Sequence, residues 1–114
     1  MASKYKLFKG TDGQYYFSLT AENGERILQS EGYLQKAGAQ NGIQSCRAHS
    51  PVDWNYKQHQ SLSGFWFTLT AVNGQVIGRS EMYVSAAGRD NGIAAVKRCG
   101  PFAPVEDLTP ASAY

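Results

Sequence analysis

Polar and apolar residues alternate through three short runs at the start of this chain, then give way to a helical spacing, and the whole order begins again. Residues 4–9 (KYKLFK) alternate and predict a first strand. Thr11-Asp12-Gly13 supplies an Asp-Gly turn, where glycine accepts the positive φ that a tight hairpin needs. A second strand is predicted over Gln14–Thr20, with Tyr15, Phe17 and Leu19 on a buried face. Tyr16, Ser18 and Thr20 then point the other way. Asn23-Gly24, the strongest hairpin signal in the chain, leads into a third strand over Glu25–Gln29, whose Ile27 returns to the buried face. Ser30-Glu31-Gly32-Tyr33 closes this three-stranded meander, and a helix is predicted over Leu34–Ala48.

The second cycle is a copy of the first. Residues 15–47 and 65–97 align without a gap at an offset of 50, and 15 of the 33 aligned positions are identical. Asn73-Gly74 repeats the hairpin turn, Ser80-Glu81-Met82-Tyr83 repeats the exit, and a second helix is predicted over Val84–Arg98. Pro51 breaks the first helix; WNYKQH (54–59) then stands where the opening strand would, and Ser61–Gly64 replaces the Asp-Gly turn. Gly100-Pro101 ends the second helix, and Pro104–Leu108 reads as a short final strand. A strand is expected after each helix. The predicted organisation is a single domain over 1–114, with repeat 1 at about 1–52, repeat 2 at about 53–108 and a flexible tail at 109–114.

Each helix carries two glycines, Gly38 and Gly42 or Gly88 and Gly92, although each costs a helix on the order of 1 kcal/mol relative to alanine. Their recurrence points to packing. With Cys46 or Val96, and Ile43 or Ile93 alongside, they form a stripe that lets the helix backbone lie close on a sheet. Ser85 is a good N-cap, whereas Gln35 at the matching place is a poor one. Glu31 and Glu81, just ahead of the helices, suit the positive end of the helix dipole.

Composition narrows the function classes more than it selects among them. With 42% hydrophobic and 18% charged residues, the chain reads as an ordinary globular protein. It has no apolar run long enough to span a bilayer and no signal-like h-region in MASKYKLFKG. Two cysteines without metal-ligand spacing, Cys46 and Cys99, suggest a reduced, cytoplasmic protein. A net charge of +2 is too small to imply a nucleic-acid or anionic-membrane partner, and Lys4, Lys6 and Lys9 read as protection of an edge strand.

The aromatic strand, the A-x-NG turn, SE-x-Y and the helical NGI-x-x-[VC]-[KR], each present twice, resemble the YegP-like family of small bacterial proteins of unknown function. The matching stretches are Tyr15–Arg47 and Phe65–Lys97, together with the Val105–Leu108 tail. The resemblance implies an α+β fold of two tandem β3-α-β units in one continuous, mainly antiparallel sheet. Two helices lie on one face, and the C-terminal strands are exchanged between repeats. Shorter relatives with one copy form dimers, so the resemblance also implies a monomer with pseudo-two-fold symmetry, a dimer within one chain. Gly38 and Gly88 stand where relatives usually carry alanine or serine, which implies weaker helices. The resemblance supplies no catalytic residues and no cofactor.

The residues themselves offer little catalytic chemistry. His49 and His59 lack repeat mates and read as surface residues, and the duplicated Glu31/Glu81 pair reads as structural. Cys99 lies beside Lys97 and Arg98, which would favour a thiolate, but an unreactive cysteine at a helix end is the plainer reading. No catalytic, metal or cofactor site is therefore expected, and the chain reads as a non-enzyme. A binding module fits better. With helices on one face, strand alternation leaves Tyr16, Arg26, Leu28 and Trp66 on the open face, joined by Val76. Aromatics beside arginine can receive a protein or small molecule, and the alternative is stacking of single-stranded nucleic acid.

Overall fold

The computed structural model describes residues 2–110 and shows one seven-stranded sheet with two helices. The first repeat supplies β1 (Lys4–Lys9), β2 (Tyr15–Thr20), β3 (Arg26–Ser30) and α1 (Lys36–His49). The second supplies β4 (Tyr56–Ser61), β5 (Gly64–Thr70), β6 (Val76–Arg79), α2 (Ala86–Cys99) and β7 (Val105–Asp107). The strand order is β4-β5-β6-β3-β2-β1-β7. Every neighbour is antiparallel except β7, which runs parallel to β1. The last strand of repeat 2 is thus delivered to repeat 1.

Repeat 1 does not return the exchange. After α1 the chain makes a 3₁₀ turn at Asp53–Asn55 and runs straight into β4, the opening strand of repeat 2, so no extra strand of repeat 1 lies between them. The six residues between α1 and β4, Pro51 among them, leave room for a connection and no more. The helices also start two residues later than predicted, because Leu34 and Val84 are exposed at the entry and Gln35 and Ser85 still have extended backbones. The tail expected at 109–114 lies outside the described residues from 111 onward. Thr109 is held, its N–H and hydroxyl both donating to Asp107 Oδ1.

The SE-x-Y motif has a structural explanation in each repeat. Ser30 Oγ accepts from Phe17 N–H at 2.9 Å and donates to Glu31 O; Ser80 does the same for Phe67 N–H at 3.0 Å. A side chain therefore satisfies the amide that the strand ladder leaves behind. Tyr33 and Tyr83 bridge back to Tyr15 and Phe65 and lie beneath the helices. A Cβ at Gly42 would stand 2.5 Å from Tyr33 Oη and 2.9 Å from Phe17 Cε2, and Gly92 meets Tyr83 and Phe67 in the same way. The glycine stripe lets each helix settle on these rings.

The core lies between helices and sheet and contains Tyr5, Leu7, Phe17, Leu19, Phe67 and Leu69 from the strands. Ala39, Ile43, Cys46, Ile93, Ala95, Val96 and Cys99 join it from the helices. Leu28, expected on the open face, is also fully buried. A bulge is the cause: Leu19 opposes Leu28 while Thr20 opposes Arg26, so Ile27 is an extra residue and both Ile27 and Leu28 face the core. The second repeat has the same bulge at Ile77, but Gly78 replaces the leucine. A Cβ there would lie 2.8 Å from Leu28 Cγ. One leucine fills a space at the junction of the repeats that two would contest.

The repeats are also fastened to each other. Tyr5 Oη donates to Gly100 O and Tyr56 Oη to Ser50 O, both at 2.6 Å, so each repeat's first strand caps the other repeat's helix. Arg47 donates to Ala103 O at 2.7 Å, and Lys97 pairs with Asp53. Burial pushes both phenols well above their usual range, which keeps them neutral donors.

Candidate functional site on the open sheet face

Cross-strand register places six side chains in one row on the face away from the helices. Lys6 opposes Ser18, Ser18 opposes Gln29, Gln29 opposes Arg79, Arg79 opposes Thr68 and Thr68 opposes Lys57. The row reads the same way from both ends, and at its middle Gln29 faces its own repeat mate. These six include three cations, and the row's one carboxylate, Glu106, follows beyond Lys6 on β7. Among the described residues Arg79 has no ion pair.

An aromatic pair borders this row on each side. Phe8 opposes Tyr16 on β1 and β2, and their rings stack at 5.7 Å with a 16° tilt. His59 opposes Trp66 on β4 and β5, stacked at 5.2 Å with a 17° tilt. Tyr16 Oη donates to Asp12 Oδ2 at 2.5 Å. That bond lowers the Asp12 carboxyl below its usual range and raises the Tyr16 phenol. His59 Nε2 lies 3.1 Å from Thr68 Oγ1, which fixes the ring against the tryptophan.

Arg26 lies on the same face and joins the two repeats. Its Nε meets Glu81 Oε1 at 2.5 Å, and its Nη1 donates to Gln29 Oε1 at 3.1 Å. With Phe8, Thr11, Asp12, Tyr16 and Gln29 it lines a hollow of about 370 Å³. Arg26, Gln29, Arg79 and Glu81 line a second hollow of about 280 Å³ at the junction. Both are open; the junction hollow is mainly polar and the one beside Phe8 and Tyr16 mixes polar and apolar groups, which suits a ligand that lies on the surface.

Of the four residues predicted for this face, Tyr16, Arg26 and Trp66 are there and Leu28 is in the core. Tyr16 and Arg26 share a hollow, whereas Trp66 lies across β3 and β6 from Tyr16. Val76, exposed opposite Thr70, holds Arg26's place in the second repeat. Phe8, His59, Gln29 and Arg79 were missed. Carrying the register back through the Asp12-Gly13 turn would have paired Phe8 with Tyr16; nothing local identifies Arg79.

The remaining candidates serve the fold. Glu81 spends its charge on Arg26, and neither helix has an acidic residue in its first turn, so the dipole role does not hold for it. His49 is half-buried, with Nδ1 2.8 Å from Ser45 O and Nε2 accepting from Val72 N–H at 3.2 Å. Cys99 is 3% exposed, and burial raises its thiol above the usual range. The cations beside it are engaged elsewhere: Arg98 grips Glu22 at 2.8 and 2.9 Å, and Lys97 pairs with Asp53. Burial likewise pushes Cys46 up to about 11. Among the described residues, no three of His, Cys, Asp and Glu come together as a metal site.

Comparison with known proteins places this architecture. The solution NMR structure of the yegP protein of unknown function from E. coli superposes with a TM-score of 0.91 at 43% identity, covering 98% of this chain and 97% of that one. The solution NMR structure of UPF0339 protein SO3888 from Shewanella oneidensis gives 0.89 at 44% identity, covering 96% and 93%. In sequence, UPF0339 protein YegP of Yersinia pestis is 49% identical over 53 residues, which is 46% of this chain and 47% of that protein. A UPF0339 protein of Photorhabdus laumondii is 47% identical over 60 residues, 53% of each. The chain therefore spans about half the length of the curated relatives it matches, a stretch close to one repeat. The model of the Domain of unknown function DUF1508 matches twice, over residues 11–56 and 63–107, and the chain belongs to that family.

Proposed function

We propose that the chain is a small, non-enzymatic binding module that receives a protein or small-molecule ligand on the open sheet face. It works as a cytoplasmic monomer, its second repeat standing in for the partner subunit of a pseudo-two-fold dimer. One observation carries this reading: a row with three cations runs between two stacked aromatic pairs, its one carboxylate, Glu106, lying at the β7 end beyond Lys6. Aromatic rings offer flat contact area at low entropic cost, and the row offers donors to an acceptor-rich group. Tyr16, Arg26 and Trp66 are the residues assigned to it. The test is an amide shift map of labelled protein titrated with separated small-molecule, nucleic-acid and protein fractions of a lysate. Shifts at Tyr16, Arg26, Gln29, Trp66 and Arg79 that disappear in Tyr16→Ala/Trp66→Ala support the reading; a face that no fraction moves ends it.

The same aromatics beside cations favour one second reading, a single-stranded nucleic-acid binder. A Trp54→Phe background leaves Trp66 as the sole tryptophan. Quenching of its fluorescence by an oligonucleotide, weakening as salt rises, would select this alternative.

A further inference from the structure

The opening strands of the two repeats, β1 and β4, are counterparts, and among the described residues only β1 has a further strand beside it. On β1, Tyr5 N–H donates to Pro104 O at 2.8 Å and Leu7 O accepts from Leu108 N–H at 2.7 Å, so the amide groups of Tyr5 and Leu7 point outward. Tyr56 and Gln58 hold the same places on β4. Tyr5 and Tyr56 oppose Leu19 and Leu69, and Leu7 and Gln58 oppose Phe17 and Phe67. Tyr56 N–H turns back to Asp53 O, whereas the Gln58 amide faces outward, and no strand lies beyond β4 among the described residues.

The covering strand is matched to its edge by charge. Glu106 opposes Lys6 and reaches Lys4 at 3.3 Å, while Asp107 reaches Lys36 at 2.7 Å. On β4 the counterpart of Lys6 is Lys57, exposed and without an ion pair among the described residues. Of the carboxylates beside this edge, Asp90 is held by Arg89 at 3.4 Å and Gln58 at 3.3 Å, and Asp53 by Lys97.

We propose that the free edge of β4 receives an extended acidic segment of a partner protein as an added parallel strand. The segment keeps the register that β7 keeps on β1 and sets a carboxylate opposite Lys57. Backbone hydrogen bonds at Gln58 and Gln60 hold it, and the Lys57 pairing selects for acidic sequence. Gln58 replaces the buried Leu7, so the edge tolerates water when bare and the added strand binds reversibly.

The test is titration of the labelled protein with a synthetic peptide of residues 103–109, APVEDLT, which reproduces the strand that already fits. Expected are amide shifts confined to Tyr56–Ser61 and slowed hydrogen exchange at Gln58. Replacing the peptide's glutamate with lysine should weaken binding by about threefold, and Lys57→Glu in the protein should reverse that preference. Gln58→Pro removes one outward donor without touching the β5 ladder and should abolish binding, with unchanged β5 amide shifts showing that the fold survives. The proposal is overturned if millimolar peptide leaves β4 unmoved, or shifts β1 in its place. It is equally overturned if β4 shifts follow protein concentration without peptide, the sign of pairing between two copies.

Discussion

The two ends of the sheet are built from the same repeat and are finished differently. At one end Leu7 is 1% exposed, sealed by β7 and by the residues that lead into it. At the other its counterpart Gln58 is exposed, and the edge strand reads tyrosine, lysine, glutamine, histidine, glutamine, serine. The backbone geometry is common to both; the side chains have adapted to what covers them. An edge that keeps its cover can be apolar, whereas one that meets water must stay polar to remain free of unwanted pairing. A steric limit, not exposure to water, sets the junction of the repeats, where Leu28 and Gly78 divide one space between them.

Exchanging the two edge residues breaks this comparison most directly. Leu7→Gln removes buried apolar surface and strands an amide, and should cost about 3–5 kcal/mol in a denaturant titration. Gln58→Leu, at an exposed position, should stay within about 0.5 kcal/mol yet promote association visible by light scattering. Equal losses from the two changes would show that the edges are alike after all. The junction comes next. Leu28→Ala should cost about 2–4 kcal/mol and Gly78→Ala about 1–3 kcal/mol, because the new methyl meets Leu28. The double variant should lose less than the sum, since shortening the leucine opens the space that the methyl needs.

Helix caps offer a smaller contrast. Ser85 Oγ accepts from Gly88 N–H at 3.0 Å, and Gln35 makes no such bond. Gln35→Ser should therefore raise stability by about 0.5–1 kcal/mol and Ser85→Ala lower it by about 1 kcal/mol, both read from thermal melts. The smallest effect is in acid. Arg98 holds the Glu22 carboxyl at about 2, below its ordinary 4.5, so this group's contribution is complete above 4.5 and is lost as pH falls toward 2. Asp107, lowered by Lys36, adds a loss in the same direction on the β7 side alone. Melting curves from pH 5 to 2 should fall, less steeply in Glu22→Gln, and β7 amides should lose protection before β6 amides.

Much of this architecture was legible in the chain itself. The offset of 50, the two Asn-Gly turns and the alternation of Tyr15, Phe17 and Leu19 place the two meanders, both helices to within two residues and the core face of β2 and β5. The glycines at Gly42 and Gly92 announced a close helix seat, and the rings of Tyr33 and Tyr83 are what they sit on. The candidate face was half legible, since Tyr16 and Trp66 follow from alternation alone. Leu28 did not, because a bulge inserts one residue and turns the next side chain over. Gly78, its repeat mate, was the one available hint.

What the sequence determined by itself is whatever a few neighbouring residues decide: turn chemistry, strand period, helix spacing and the duplication. Only the tertiary structure decided which strands became neighbours. That choice brought Gln29 opposite Arg79, carried β7 across to β1 and left β4 as an edge. Pairing between distant strands depends on loop lengths, and the six residues between α1 and β4 are spent as a connection where repeat 2 still has chain left to form a strand.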